Sequence, residues 1–450
     1  LPMKNIKIFL WTFLLGTSAL WLLADSLLPQ PFTYFSFRNV FNQYSGILAV
    51  GAMSLCMVLS VRLVWLENLL GGLDKGYRLH KWLGITALVT ALAHFWFTKG
   101  TKWMVGWGWL TRPERRKRGG GTDADGIEQW LGSMRGIAED VGEWAFYIAL
   151  VLMVIALIKR IPYHWFAKLH TWLAAAYLAL VFHAVILMKF AYWKQPVGWL
   201  TAVLLAGGTV SALLVLFKRH GAARRSLGTV SAVEAYPPMS AFAVDITAPQ
   251  WHGHQPGQFA FIRHLGGKEG AHPFTVASAW DVQTGILRFI IKNLGDYTAR
   301  TADIFQTGDT VALEGPYGRF TFDGETGTQI WVAGGIGITP FLARLDEMQY
   351  SGGGKNKNTH LFYSYRDNDP AFLEPLRRKA QAAGVNLHLW PSAQKGRLNA
   401  ETLHAAVTEN LPQCSVWFCG GTAFGISLKK DLIKLGLPEK HFHQELFEMR

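Results

Sequence analysis

Cysteine is scarce: the 450 residues hold three, Cys56, Cys414 and Cys419, too few for a disulfide framework. The soluble part of the chain is therefore compatible with a reducing compartment. Charge is scarce too, 17% of residues against 50% hydrophobic, which excludes a solvated, disordered chain. Acids are the rarer sign, 31 against 44 Lys and Arg, leaving a formal net charge of +13. A basic excess of that size could serve nucleic acid, but no reading motif accompanies it, so nucleic acid is excluded as a partner. The basic residues stand beside long apolar runs instead, and a lipid bilayer explains them.

The length suggests two or three domains. Six apolar runs lie before about Phe217: Ile6 to Leu28, Val40 to Leu66, Leu79 to Phe97, Val141 to Ile158, Phe166 to Met188 and Val197 to Phe217. Each is near or above the length that spans a bilayer, the fourth being short. Leu1 and Pro2 precede Met3, which reads as the natural start. The first run is too long for a signal segment and reads as a retained helix. Six spans put both termini on one side, and the short segments there carry Lys4, Lys7, Arg62, Lys75, Arg78, Lys81, Lys159, Arg160, Lys168, Lys218, Arg219, Arg224 and Arg225. The positive-inside rule makes that side cytoplasmic. The loop Arg112 to Arg118 is basic and should face outward; it reads as a solvated loop or as a funnel for an anionic acceptor such as a ferric chelate. Trp103, Trp107, Trp109, Trp193 and Trp199, among 19 Trp, fall where an interfacial belt belongs.

Four histidines stand inside two of these runs, His80 and His94 in one, His170 and His183 in the other. An ionisable side chain in a membrane helix is costly unless used. At about 1.5 Å and 100° per residue, His80 and His94 lie about 21 Å apart and within about 40° of one face. Neutral imidazole is an axial ligand of haem iron, and two of them saturate the metal for electron transfer. Pairing His80 with His170 and His94 with His183 gives two bis-histidine b-type haems at two depths. Interhelical hydrogen bonding is the plainer alternative, but it explains neither the matched depths nor the spacing. His170 and His183 are one residue closer, misaligned by about 140° in a straight helix. That predicts a distortion between them, or haem planes approached from different angles. Arg78 and Lys81 are candidates for inner-haem propionates or for lipid phosphates, Arg38 for the outer haem. Tyr177, midway between His170 and His183, suits ordinary packing or an aromatic bridge between haems.

From about Ser226 to Asp323 short strands with Gly and Pro punctuation predict an antiparallel barrel: Gly228 to Ala235, Phe242 to Ile246, Gln258 to Arg263, Leu287 to Lys292 and Thr310 to Glu314. His272-Pro273-Phe274-Thr275 offers a cation or donor, a flat ring and a hydroxyl. Gly295-Asp296-Tyr297-Thr298 opens a predicted helix whose free amides suit a pyrophosphate. Gly315-Pro316-Tyr317-Gly318 is read as a turn with an exposed ring. Their order points to a flavin site. From about Gln329 strands and helices alternate, predicting a parallel sheet with ligands at its carboxyl ends. Gly334-Gly335-Ile336-Gly337-Ile338-Thr339-Pro340 is its first strand-to-helix turn, suited to phosphates. Arg366 and Arg397 are candidates for the 2′-phosphate of NADPH or plain surface cations.

With Cys419-Gly420-Gly421 added, this ordered series resembles the ferric reductase and NADPH oxidase superfamily over nearly the whole chain. The resemblance implies an α-helical six-span transmembrane bundle plus a ferredoxin-reductase-like module, an antiparallel β-barrel FAD domain and an α/β parallel-sheet nucleotide domain. The boundaries would be 1–221, 222–326 and 327–450. By that resemblance His272 with Pro273, and Thr298 with Gly295, contact the FAD pyrophosphate, Phe274 stacks on the isoalloxazine, and Thr275 hydrogen-bonds near its N5. Gly335, Gly337, Thr339 and Pro340 hold the nicotinamide nucleotide, with Cys419 and Gly420 beside the nicotinamide. Phe447 is similar to the aromatic residue that covers the flavin, although Glu448-Met449-Arg450 follow it here. Thr275, Cys419 and Phe447 are thus the expected catalytic set, and His80, His94, His170 and His183 the metal ligands. The resemblance implies a multi-pass protein of the bacterial inner membrane, its dehydrogenase half cytoplasmic. Electrons would run from NADPH, or NADH, through FAD and two haem b groups to an outer acceptor. That acceptor is a ferric chelate by preference or O₂, since Thr98 stands where some oxidases of the family carry a further histidine. A haem-bearing redox subunit or proton conduit is the reading from another class. Oligomeric state is left open.

Overall fold

The computed structural model describes residues 2–111, 126–158, 160–161, 163–219, 221–267, 270–292, 305–322, 327–351, 358–407 and 410–444. The basic loop Arg112 to Arg118, the Gly295 to Thr298 turn and Phe447 lie outside them. The chain folds into two compact units, one of Pro2–Gly71 with Lys75–His220, the other of Gly221–Met449 with Gly72–Asp74.

The first unit is helical: α1 (Pro2–Ala24), α2 (Tyr34–Ser60), α3 (Val64–Leu70), α4 (Leu73–Phe95), α5 (Thr101–Gly106), α6 (Gly126–Ser133), α7 (Arg135–Leu157), α8 (Tyr163–Leu187) and α9 (Pro196–Leu216). Thr33 starts α2 with a capping box shared with Ser36, and Pro196 occupies the first turn of α9, where its missing N–H costs nothing. Helix α7 runs along α8, and α2 along α9. Their core holds Met53, Leu79, Leu83, Ala174, Tyr177 and Leu205.

Among the described residues five helices are long and apolar enough to cross a membrane: Ile6–Ala24, Tyr34–Ser60, Arg135–Leu157, Trp165–Leu187 and Pro196–Leu216. The third expected span is not one of them. Helix α4 has the length, 23 residues, but opens on Asp74, Lys75, Arg78 and Lys81 and carries both histidines, which lowers its mean hydropathy. Trp103, Trp107, Trp109 and Trp199 are exposed on this unit, as interfacial anchors would be, whereas Trp193 is half-buried against the helical core.

No distortion separates His170 from His183, because α8 is α-helical throughout. The irregularity falls on the other helix: directly after α4 the backbone widens into a π-helical turn, Trp96–Gly100. Such turns release carbonyls from the regular ladder. Arg38 of α2 donates to two of them, Nε to Phe97 O at 2.6 Å and Nη2 to Thr98 O at 3.5 Å.

The second unit begins with six antiparallel strands, β1 (Arg225–Tyr236), β2 (Ala241–Thr247), β3 (Phe259–His264), β4 (His272–Thr275), β5 (Ile286–Lys292) and β6 (Thr310–Tyr317), in the order β4-β3-β6-β1-β2-β5. The edges meet through an antiparallel bridge between Val276 and Phe289 and a 2.7 Å bond from Ala277 N to Arg288 O, which closes the sheet into the expected barrel. Five parallel strands follow, β7 (Thr328–Gly334), β8 (Asn358–Tyr365), β9 (Asn386–Pro391), β10 (Cys414–Cys419) and β11 (Phe442–Gln444), in the order β11-β10-β7-β8-β9. Their crossover helices are α10 (Thr339–Ser351), α11 (Pro370–Ala382), α12 (Ser392–Lys395), α13 (Ala400–Ala406) and α14 (Thr422–Lys434). One hydrophobic cluster runs through both sheets, joining Tyr236 and Ala243 to Phe320, Phe322, Trp331, Phe341 and Trp417.

Candidate functional site

The four membrane histidines meet in the predicted pairs. The rings of His80 and His170 lie 5.8 Å apart, centroid to centroid, and those of His94 and His183 6.3 Å apart. A metal held between two imidazoles separates their centroids by about 6 Å, given metal–nitrogen bonds of about 2 Å and a ring radius of about 1.1 Å. The planes are inclined by 59° in the first pair and 85° in the second. Both pairs thus meet without a break in α8.

Three of the rings are aimed from behind. His80 Nδ1 lies 3.1 Å from Cys56 O, His94 Nδ1 2.9 Å from Asn42 O, and His183 Nδ1 2.8 Å from Ala138 O. A carbonyl can only accept, so each Nδ1 carries the proton and Nε2 keeps its lone pair, the tautomer of a metal ligand. Gly142 is the cradle of the outer pair: a Cβ there would stand 1.9 Å from His183 Nδ1. A cavity of about 400 Å³ opens beside His94 and His183, lined also by Arg38, Lys99, Lys102 and Arg135 and by Glu139 and Glu143. These donors, the pair separations and the cradle fit two bis-imidazole metal groups. The cations include the Arg38 expected at the outer propionates, while Glu143 is engaged by Lys99 and by Tyr147 Oη at 2.9 Å. Thr98 Oγ1 turns back onto His94 O at 3.1 Å and Phe95 O at 2.9 Å.

Tyr177 sits in the core. It is fully buried, and its hydroxyl shares a 2.8 Å hydrogen bond with Ser54 of α2, which supports the packing reading.

In the barrel, the four residues His272 to Thr275 form an edge strand, β4. Phe259 of β3 pairs with Thr275 on one side and Tyr317 on the other, so two of the sequence motifs flank one strand. Phe274 packs on the barrel core. Burial pushes His272 down to about 4, so at neutral pH it is a neutral donor and not a cation. The Tyr317 ring is not exposed as expected. It is 1% accessible, packed on Phe261 and covered by the Arg224 guanidinium at 4.7 Å, with its hydroxyl donating to Glu314 at 3.0 Å. Arg224 stands in the turn before β1, too far in sequence from Tyr317 for the pairing to be legible there.

The strand order reverses between β7 and β10, which run parallel, and this is the switch point at which such sheets bind ligands. Both glycine motifs arrive there. Gly335 has φ +57°, and a Cβ at Gly337 would stand 2.2 Å from Cys419 O. Thr339 and Pro340 start α10, and Cys419 and Gly420 end β10. Arg366 follows β8 and Arg397 follows β9 and α12; both are exposed at that carboxyl edge. The Ser392 hydroxyl donates to Tyr365 O at 2.9 Å, tying these loops together.

Residues 45–181 match the family model for the ferric reductase like transmembrane component. The membrane half is ferric-reductase-like. The other half pairs an antiparallel barrel with a parallel sheet. Flavohemoprotein B of Dictyostelium discoideum is 26% identical over 152 residues, 32% of this chain and 36% of that protein. The reductase component of propane 2-monooxygenase from Rhodococcus jostii is 31% identical over 127 residues, 28% of this chain and 33% of that one. The chain thus spans about a third of these relatives' length. A solved ferredoxin reductase of carbazole 1,9a-dioxygenase is 20% identical with a TM-score of 0.42, over 50% of this chain and 69% of that one. The ferric-reductase-like match takes in all four histidines but His183, which follows its last residue by two.

Proposed function

We propose that this chain is an NAD(P)H-dependent flavohaem oxidoreductase of the bacterial inner membrane. It carries electrons from cytosolic NADPH through FAD and two b-type haems to an acceptor on the outer face, with a ferric chelate as the substrate. The observation that carries the reading is the meeting of His80 with His170 and His94 with His183 at separations of 5.8 and 6.3 Å inside a ferric-reductase-like domain. When bound, the flavin takes a hydride from the nicotinamide and releases electrons singly, and the haem irons carry them one at a time. The net reaction oxidises one NADPH to NADP⁺ and a proton while two Fe(III) become two Fe(II).

The chain's own residues supply binding, orientation and charge. His80 and His170 hold the inner group, His94 and His183 the outer, within a membrane domain of residues 1–221. In residues 222–326 His272, Pro273, Phe274 and Thr275 line the flavin, aided by Gly295 and Thr298. In residues 327–450 Gly335, Gly337, Thr339, Pro340 and Gly420 receive the nucleotide, with Cys419 beside the nicotinamide and Phe447 over the flavin. Arg366 and Arg397 take the 2′-phosphate. Held by two imidazoles apiece, the haem groups would offer no free position on their iron, so the acceptor would be reduced without binding there. Thr98 spends its hydroxyl on its own helix and offers no donor to O₂, which favours the ferric reading over superoxide formation.

Purified protein given NADPH and ferric citrate without oxygen should produce Fe(II), and Arg366→Ala should lose most of its preference for NADPH over NADH. Superoxide-dismutase-sensitive dye reduction in air, without Fe(II) under anaerobic conditions, would replace the ferric reading by the oxidase. Flavin reduction that never reaches the haem absorbance would leave only a haem-bearing redox subunit or proton conduit.

A further inference from the structure

The four imidazoles are not held alike. His80, His94 and His183 each donate Nδ1–H to a main-chain carbonyl, at 3.1, 2.9 and 2.8 Å. His170 Nδ1 is buried and has no hydrogen-bond partner among the described residues. A bond at the far nitrogen fixes the tautomer and plane of a metal-binding imidazole and raises its basicity, so His170 lacks both constraints. Its ring is stacked instead on Phe166, centroids 5.1 Å apart and planes 23° from parallel. Phe166 precedes it by four residues, the spacing that puts two side chains over one another on a helix, and α8 is regular through both.

We propose that Phe166 is the positioning residue of the inner ligand: its ring sets the plane of His170 by stacking, in the place of the carbonyl that sets the other three. This rests on the reading of the two pairs as haem sites. The outer iron then has two tethered imidazoles and the inner one has a single tethered imidazole, from His80. Disturbing Phe166 therefore alters the inner site and leaves the outer one as an internal control, since no part of the His94 and His183 support passes through it.

The test uses the full-length holoprotein in detergent, with Phe166→Leu and Phe166→Met, which keep an apolar side chain without a stacking face, and Phe166→Tyr, which restores the face. Low-temperature electron paramagnetic resonance of the ferric protein reports the relative orientation of the axial imidazole planes at each haem, and a redox titration of the haem absorbance reports each midpoint. In Phe166→Leu and Phe166→Met one of the two low-spin signals should move or broaden and its midpoint shift, or that haem should be lost. The other signal should stay, and Phe166→Tyr should match the wild type. Signals and midpoints equal to wild type in both non-aromatic variants would overturn the proposal, as would equal shifts at both haems or a Tyr variant behaving like the Leu variant. Should Phe166→Leu fail to accumulate, the Met and Tyr variants decide it. A wild-type protein that takes up no haem sinks the haem reading itself, an outcome distinct from two-haem variants that ignore the loss of the ring.

Discussion

Gly142→Ala puts the outer site to its sharpest test, because one added carbon meets one ring. The new Cβ would stand 1.9 Å from His183 Nδ1 and 2.5 Å from its Cε1. The ring must swing away, which breaks its 2.8 Å bond to Ala138 O. Losing that bond costs about 1 kcal/mol, and forcing a methyl into a filled space about 1–3 kcal/mol. The better helix propensity of Ala returns about 1 kcal/mol. At about 1.4 kcal/mol per factor of ten, the net loss of about 1–3 kcal/mol weakens the outer metal group by roughly 5- to 150-fold. Haem content per protein should fall from two toward one, and the surviving haem should keep the inner midpoint in a redox titration. Gly136→Ala on the same helix has nothing within 4 Å of its Cβ and should retain both haems. A Gly142→Ala protein with two haems and unchanged midpoints would show that His183 is not held as described.

Tyr177→Phe removes the hydroxyl bonded to Ser54 at 2.8 Å and should cost about 1 kcal/mol of stability in a thermal melt, with haem reduction by NADPH unchanged; slowed reduction of the outer haem alone would restore the bridging reading. Gly337→Ala places a Cβ 2.2 Å from Cys419 O, a backbone atom that cannot move aside; NADPH affinity should drop at least about tenfold, while FAD binding, measured by flavin fluorescence, persists. His272 sits at about 4 when folded, below the unfolded value of about 6.5. The unfolded chain takes the proton first, so the contribution of His272 to stability is whole above about pH 6.5 and is lost as pH falls toward about 4. An anion beside the ring favours its charged form, so FAD should bind more tightly as pH falls from about 7 to about 5. His272→Ala should flatten that slope, and an equally steep slope in the variant would remove His272 from the pyrophosphate site.

The sequence by itself determined whatever is periodic or contiguous. The spans of α1, α2, α7, α8 and α9 follow from unbroken apolar runs, and α4 with its two histidines from a 14-residue spacing that keeps one face. The parallel sheet and its helices, β7 onward, follow from the alternation of strands and helices that begins at about Gln329, because apolar runs alternate there with glycine turns. Tertiary structure decided what depends on residues far apart in the chain. The carbonyls of Cys56, Asn42 and Ala138 that aim three imidazoles are backbone atoms, which no residue type announces. Gly142 reads as an ordinary helix glycine until α8 brings His183 against it. Tyr317 looks exposed in its turn and is buried because Phe261 of β3 packs on its ring and Arg224, before β1, folds over it. His170 is the same residue type as its three counterparts, yet among the described residues its Nδ1 has no hydrogen-bond partner, and its ring stacks on Phe166. Local pattern chooses the element and where it starts; which atom stands behind a ligand is set by how the elements pack.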